Sequence, residues 1–266
     1  MDTITKALAR TKRASDAIDL NLFKSPASVD GRLPEMRAPM PDAESDLLSL
    51  HRLRSQHLVA FDSGDPVTRL YDMLRNQLVS LGIGPKKPVV AVAAPTKRCG
   101  TTITAVNLAL SFARMPGANV LLIDANVGSN AIGRLMGLRA IHAPDGTMGA
   151  PAAGLRRVGV GSSHLHILSI PAAERPSGGV ATEETFRVEE MIDQARERLR
   201  PSVVIVDLPA MLTNDGSAAL VQHADAVTLV LATRETKLSD IEVCKTYIGA
   251  GKATMFVLNK CGKHGF

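Results

Sequence analysis

A chain of 266 residues with 45% hydrophobic content can bury one large core and carry an appendage. Its three cysteines, at 99, 244 and 261, make neither a zinc spacing nor a disulfide framework, and no apolar run approaches the roughly 18 residues of a membrane span. The formal charge of +5 is spread rather than blocked, so nucleic acid is not an expected partner, and the first residues lack the apolar core of a secretory signal; a cytoplasmic location is expected.

Residues 1–60 are polar and interrupted by Pro26, Pro34, Pro39 and Pro41. They read as a flexible N-terminal arm with short amphipathic helices over 1–18 and 45–58, either a docking arm or a simple tail. Residues 61–266 read as one domain. It opens at Asp65-Pro66 with a helix through VTRLYDMLRNQLVSLGI, closed by Gly82 and Gly84. Strand and helix signals then alternate: strand 89–94, helix 101–114, strand 119–124, a short helix or turn near 130–137, and a glycine-rich loop over 143–162. Strand 165–170, helix 183–199, strand 202–207, helix 215–223, strand 226–231, helix 236–249 and strand 253–258 follow. This pattern predicts an α/β fold, a three-layer α/β/α sandwich with a mostly parallel, doubly wound sheet.

The richest stretch is VVAVAAPTKRCGTTITAVNLALSFA, residues 89–113. A buried strand, a loop ending at Gly100 and a helix form the arrangement that aims backbone N–H groups and a helix dipole at a phosphate. The P-loop string is G-x-x-x-x-G-K-[ST]. Gly100 and Thr102 fall where its last glycine and its hydroxyl belong, and Thr101 stands in the lysine position. A bound nucleotide would therefore meet the loop and first helical turn, Lys97, Arg98, Cys99, Gly100, Thr101, Thr102 and Ile103. Cys99, near a helix N-terminus, reads as a packing residue ahead of a redox one.

Two further strands end in carboxylates, VLLID at Asp124 and VVIVD at Asp207. Mg²⁺ takes few protein oxygens and keeps several waters, so Thr102, Asp124 and Asp207 suffice as ligands. A strand-end aspartate is otherwise a cap or turn residue. His164 and His166 alternate in LHILSI and look like exposed strand positions.

The segments PTKRCGTTITAVNLALSFA, VLLIDANVGSNAIGRLMGL, VVIVDLPAM and FVLNK, in this order, resemble the bacterial tyrosine autokinases of capsule and exopolysaccharide synthesis. These are P-loop ATPases related to partitioning and division-site ATPases with a deviant Walker A motif. The resemblance runs over about residues 61–262 and implies ATP or ADP with Mg²⁺ as cofactors, Thr102, Asp124 and Asp207 as the metal corner, and Asp124 and Asp207 as catalytic carboxylates. It also implies a role for Asn259 in holding the adenine, a membrane-embedded polysaccharide co-polymerase or activator as partner, homo-oligomer formation, and a place at the inner membrane through that partner.

The sequence also departs from that family. Thr101 replaces the loop lysine, Arg98 a glycine, Asn126 the second aspartate of D-x-D, Gly128 an arginine, and Ala210 the second proline of D-x-P-P. The E-x-x-R-x-x-R helix that serves ring assembly reads Arg69, Asp72 and Arg75. In place of a tyrosine-rich tail, the chain has two tyrosines, Tyr71 and Tyr247, both in predicted helices, so tail self-phosphorylation is not expected. The resulting expectation is a nucleotide-binding or pseudo-enzyme regulator of polysaccharide synthesis or export with impaired catalysis. One alternative is an active autokinase or ATPase in which Lys97 or Arg98 replaces the missing lysine. Another is a partitioning-type ATPase, which would want a basic patch or a terminal amphipathic helix.

Overall fold

The structure, a computed structural model, describes residues 46–81, 88–126, 129–138, 154–170 and 181–262. In chain order its elements are β1 (Asp46–Leu47), α1 (Leu50–Ser55), α2 (Thr68–Ser80), β2 (Val89–Ala93), α3 (Thr101–Ala113), β3 (Val120–Asp124) and α4 (Ala131–Met136). They continue with β4 (Gly154–Val160), β5 (Ser163–Ser169), α5 (Ala181–Leu199), β6 (Val203–Asp207), a 3-10 turn (Met211–Thr213), α6 (Asp215–Gln222), β7 (Ala226–Ala232), α7 (Leu238–Ile248) and β8 (Ala253–Asn259).

The strands form one sheet in the order β1-β4-β5-β3-β6-β2-β7-β8. Every pair is parallel except β4–β5, which is antiparallel. The central strands VVAVA, VLLID and VVIVD are buried at every position because helices cover both faces. Strand alternation sends Val90 and Val92 into one core with α1, α2 and α3, and Val89, Ala91 and Ala93 into a second core with α5, α6 and α7. This is a three-layer α/β/α fold with a mostly parallel sheet.

Three departures from the predicted elements have physical causes. Part of the predicted 143–162 loop is a strand: Gly154–Val160 pairs with Ser163–Ser169 through a tight turn in which Gly161 takes φ 59°. Its arginines, Arg156 and Arg157, break the apolar alternation, and only Val158, Gly159 and Val160 are buried. Residues 143–153 of that loop, and the 1–18 segment, lie outside the described residues.

Residues 46–60, grouped with the arm by their polarity, pack into the first core through Leu53, Leu58 and Ala60. The predicted 45–58 helix shrinks to Leu50–Ser55, where Ser49 caps it by accepting from the Arg52 N–H. The anchor of this segment is Asn107 in α3, which has no solvent exposure. Its Oδ1 accepts from the N–H groups of Val59 (2.8 Å) and Ala60 (3.0 Å), and its Nδ2 donates to the carbonyls of His57 and Ile103 (2.9 Å each).

Two charges of α2, Asp72 and Arg75, are paired inside the chain. Asp72 accepts from Arg114 Nη2 (2.8 Å), Arg75 Nη1 (3.1 Å) and the Ser111 hydroxyl, and Arg75 also donates to the Ser111 carbonyl (2.8 Å). This cluster ties α2 to the C-terminal turn of α3. Burial works to raise the Asp72 carboxyl, but the Ser111 hydroxyl and the two guanidinium groups outweigh it and hold it below the usual value.

Candidate functional site

β2 ends at Ala93, and residues 94–100 carry the chain to α3. The 3-10 turn after β6 fixes the start of this loop, since Met211 donates to the Ala94 carbonyl (2.9 Å) and Leu212 to that of Pro95 (3.0 Å). Two residues with positive φ, Arg98 (67°) and Gly100 (95°), turn the backbone into the helix. Gly100 is the N-cap of α3 and no side chain caps it. The first N–H groups of the helix, at Thr101, Thr102 and Ile103, thus lack an intrahelical acceptor, as an anion-binding helix end requires.

Each loop residue has a distinct environment. Cys99 is fully buried, with its Sγ 3.4 Å from the Thr96 hydroxyl, and it packs in the first core. Lys97 and Arg98 are exposed and, among the described residues, form no hydrogen bond or ion pair. Thr101 and Thr102 are half-buried, and Ile103 packs against the core while its N–H belongs to the open helix end. Asn259, at the end of β8, does not stand free: its Nδ2 donates to the Cys99 carbonyl (2.9 Å) and its Oδ1 accepts from the Lys260 N–H (2.8 Å). It straps the loop 94–100 to the far edge of the sheet.

Asp124 and Asp207 are direct cross-strand neighbours, paired at the ends of β3 and β6. Their exposures are 1% and 0%. Asp124 Oδ1 accepts from the Asn126 N–H (3.1 Å) and Oδ2 from the Ile132 N–H at the start of α4 (3.0 Å). Asp207 Oδ2 accepts from Asn126 Nδ2 (3.2 Å), whereas its buried Oδ1 has no hydrogen-bond partner.

Burial pushes the Asp207 carboxyl up to about 8, with the Asp124 charge adding to the rise. The Thr102 hydroxyl and the Asn126 amide oppose it; Thr102 lies near enough to favour the charged form without bonding Oδ1. Burial also raises Asp124, against the backbone donors of Ile132 and Asn126.

The structure therefore brings Thr102, Asp124 and Asp207 together. An orphaned buried oxygen beside a second carboxylate and a hydroxyl is an all-oxygen donor set, which fits Mg²⁺. Among the described residues no group of three or more His, Cys, Asp or Glu could hold a metal, so this corner is a two-carboxylate site. His164 is exposed, and His166 is half-buried with Nδ1 3.1 Å from Asn119 Oδ1; neither joins the corner.

Sequence reasoning marked Asn126 only as a departure and missed its bridging role. The signal available was a side-chain amide two residues past a strand-end aspartate, where the chain must turn back over the sheet.

Comparison with solved structures places the fold. The kinase domain of Escherichia coli tyrosine kinase ETK matches with a TM-score of 0.62 at 18% identity, over 78% of this chain and 81% of its own. The chimerical protein CapA2B2 matches at 0.60 and 16% identity, over 82% of this chain and 94% of its own. The BceF tyrosine kinase domain matches at 0.57 and 20%, over 80% and 90%. No protein-family model matches the sequence, and no curated protein matches it. At these identities the likeness carries the fold: this chain has the P-loop NTPase architecture that those tyrosine kinase domains also have.

Proposed function

We propose that this protein is a nucleotide-binding P-loop regulator of polysaccharide synthesis or export, with impaired catalysis, working beside a membrane-embedded co-polymerase or activator. One observation carries the reading: the magnesium corner of Thr102, Asp124 and Asp207 is assembled beside the loop, while the lysine position is Thr101. The order of the motifs and the likeness to tyrosine kinase domains support the pathway.

The open N–H groups at the start of α3 would hold the phosphates of ATP or ADP, and Gly100 lets the backbone approach them. Thr102, Asp124 and Asp207 would hold Mg²⁺, which supplies charge neutralisation of the phosphates when bound. Thr101 brings a hydroxyl but no charge to the β- and γ-phosphates. Losing one preorganised stabiliser of that kind costs about 3–4 kcal/mol, or ~10²–10³-fold in rate, and costs binding less. A regulator needs the bound state and its surfaces, not turnover.

The protein would act on the cytoplasmic side and reach the inner membrane through its partner, and it would assemble as a homo-oligomer. Among the described residues no helix is long and apolar enough to cross a membrane.

Calorimetry with ADP and ATP plus Mg²⁺ tests this on the wild type and on Thr101→Lys. The expected result is measurable binding with negligible turnover in the wild type, and tighter binding or turnover in the variant. Efficient turnover by the wild type overturns the reading, and its loss in Lys97→Ala would assign the missing charge to Lys97.

A further inference from the structure

Between the two carboxylates of the magnesium corner stands an amide. Asn126 donates from its backbone N–H to Asp124 Oδ1 (3.1 Å) and from its side-chain Nδ2 to Asp207 Oδ2 (3.2 Å). Nδ2 also lies 3.5 Å from the Asp207 backbone carbonyl. The Ala125 N–H donates to that same carbonyl (3.1 Å), so the whole turn after β3 is stitched onto the end of β6.

Two buried carboxylates side by side are costly when both are charged, so such a pair is held together by a shared proton, by hydrogen-bond donors or by a divalent cation. Here two N–H dipoles of one residue point at the two carboxylates. Three of the four carboxylate oxygens already accept a hydrogen bond: both of Asp124 and Oδ2 of Asp207. An arriving ion finds one unpartnered oxygen, Oδ1 of Asp207, on a carboxyl group that the Thr102 hydroxyl also approaches.

We propose that Asn126 is a positioning residue that stands in for a cation, tethering Asp124 to Asp207 so that the corner keeps its shape without metal and takes a free divalent ion weakly. The proposal rests on the reading of this corner as the magnesium site of a nucleotide-binding protein. Its consequence is that folding is independent of Mg²⁺, and that metal arrives chiefly with a nucleotide. A carboxylate at position 126 would reverse this: three carboxylates would converge, the side-chain donor would be lost, and the corner would require an ion.

The test compares wild type, Asn126→Asp and Asn126→Ala by thermal melting in EDTA and in excess Mg²⁺, and by calorimetric titration with Mn²⁺ alone. The wild type is expected to melt at the same temperature in both buffers. Asn126→Asp is expected to melt about 3–6 °C lower in EDTA and to recover in Mg²⁺, and to bind Mn²⁺ at least about tenfold more tightly. Asn126→Ala is expected to melt lower in both buffers, with no recovery. A merely structural role for Asn126 predicts equal losses in the two variants and no rescue by metal, and that result overturns the proposal.

A large metal-dependent rise in the wild type also overturns it. If Asn126→Asp does not fold in EDTA, refolding in Mg²⁺ becomes the readout: recovery supports the proposal and failure sinks it. Titration with Mn²⁺ and ADP together separates the two readings. If neither the wild type nor a variant takes the ion with ADP, the nucleotide reading fails. If the wild type takes Mn²⁺ with ADP but Asn126→Asp gains nothing, only the role of Asn126 fails.

Discussion

The amide of Asn259 fills the space that a side chain on residue 100 would need. A Cβ built on Gly100 collides with Asn259 Nδ2, and Gly100 also holds φ 95°, where L side chains are strained. The end of β8 and the loop 94–100 are thus interlocked, with the amide held by the Cys99 carbonyl.

Gly100→Ala is therefore expected to lose nucleotide binding and to destabilise the protein by about 1–3 kcal/mol. Asn259→Ala is expected to weaken ADP binding through a looser loop while leaving the fold intact. The double variant recovers part of the stability of Gly100→Ala, because the collision is gone and only the backbone strain remains. ADP calorimetry and thermal melting on the three variants check this; no recovery in the double variant would show that the strain alone dominates.

Asn107 places residues 57–60 on α3 with three hydrogen bonds, and a fourth holds its amide to the Ile103 carbonyl of its own helix. Replacing it with Ala strands the N–H groups of Val59 and Ala60 and the His57 carbonyl. A loss of about 2–4 kcal/mol is expected, larger than for surface substitutions, and urea denaturation measures it.

Asp72 titrates below the usual carboxylate value in the folded protein. Because its folded pKa is depressed, its contribution is present above the unfolded value of 3.8 and is lost as pH falls through the folded value. Asp72→Asn should lower stability at neutral pH and flatten the acid-side loss. Denaturation midpoints between about pH 5 and pH 2 provide the comparison.

Asp207 behaves in the opposite sense. Its folded pKa is raised to about 8 from 3.8, so in that interval the folded protein holds a proton that the unfolded chain has released. Stability of the metal-free protein should therefore fall as pH rises from about 4 to about 8 and level off above that. Asp207→Asn reduces this slope to the part that the raised Asp124 carboxyl contributes. Melting curves in EDTA across the interval test it, and a slope unchanged in the variant would show that the effect lies elsewhere.

The central layer of the fold was legible because short, fully apolar runs such as VVAVA, VLLID and VVIVD have few alternatives to burial in a parallel sheet. The helices between them followed from their spacing to within a residue or two. β4 escaped because two arginines and a glycine interrupt its alternation, and a hairpin partner rather than its own pattern makes it a strand. Residues 46–60 escaped for a similar reason: Leu53, Leu58 and Ala60 are scattered among polar neighbours, and the core that receives them is assembled from strands and helices distant in the chain.

By itself, the sequence determined which groups stand at the strand ends and the helix start where a phosphate and a metal are proposed: Gly100, Thr102, Asp124 and Asp207, with Thr101 in the lysine position. Local patterning fixes such choices, since a strand end and a helix start are set by residues within a few positions. Only the tertiary structure decided that Asp124 and Asp207 lie opposite each other, that Asn126 bridges them, and that Asn259 reaches back to Cys99. Those relations depend on strand order and register, which no single segment encodes, because each strand's neighbours are chosen by the packing of the whole sheet.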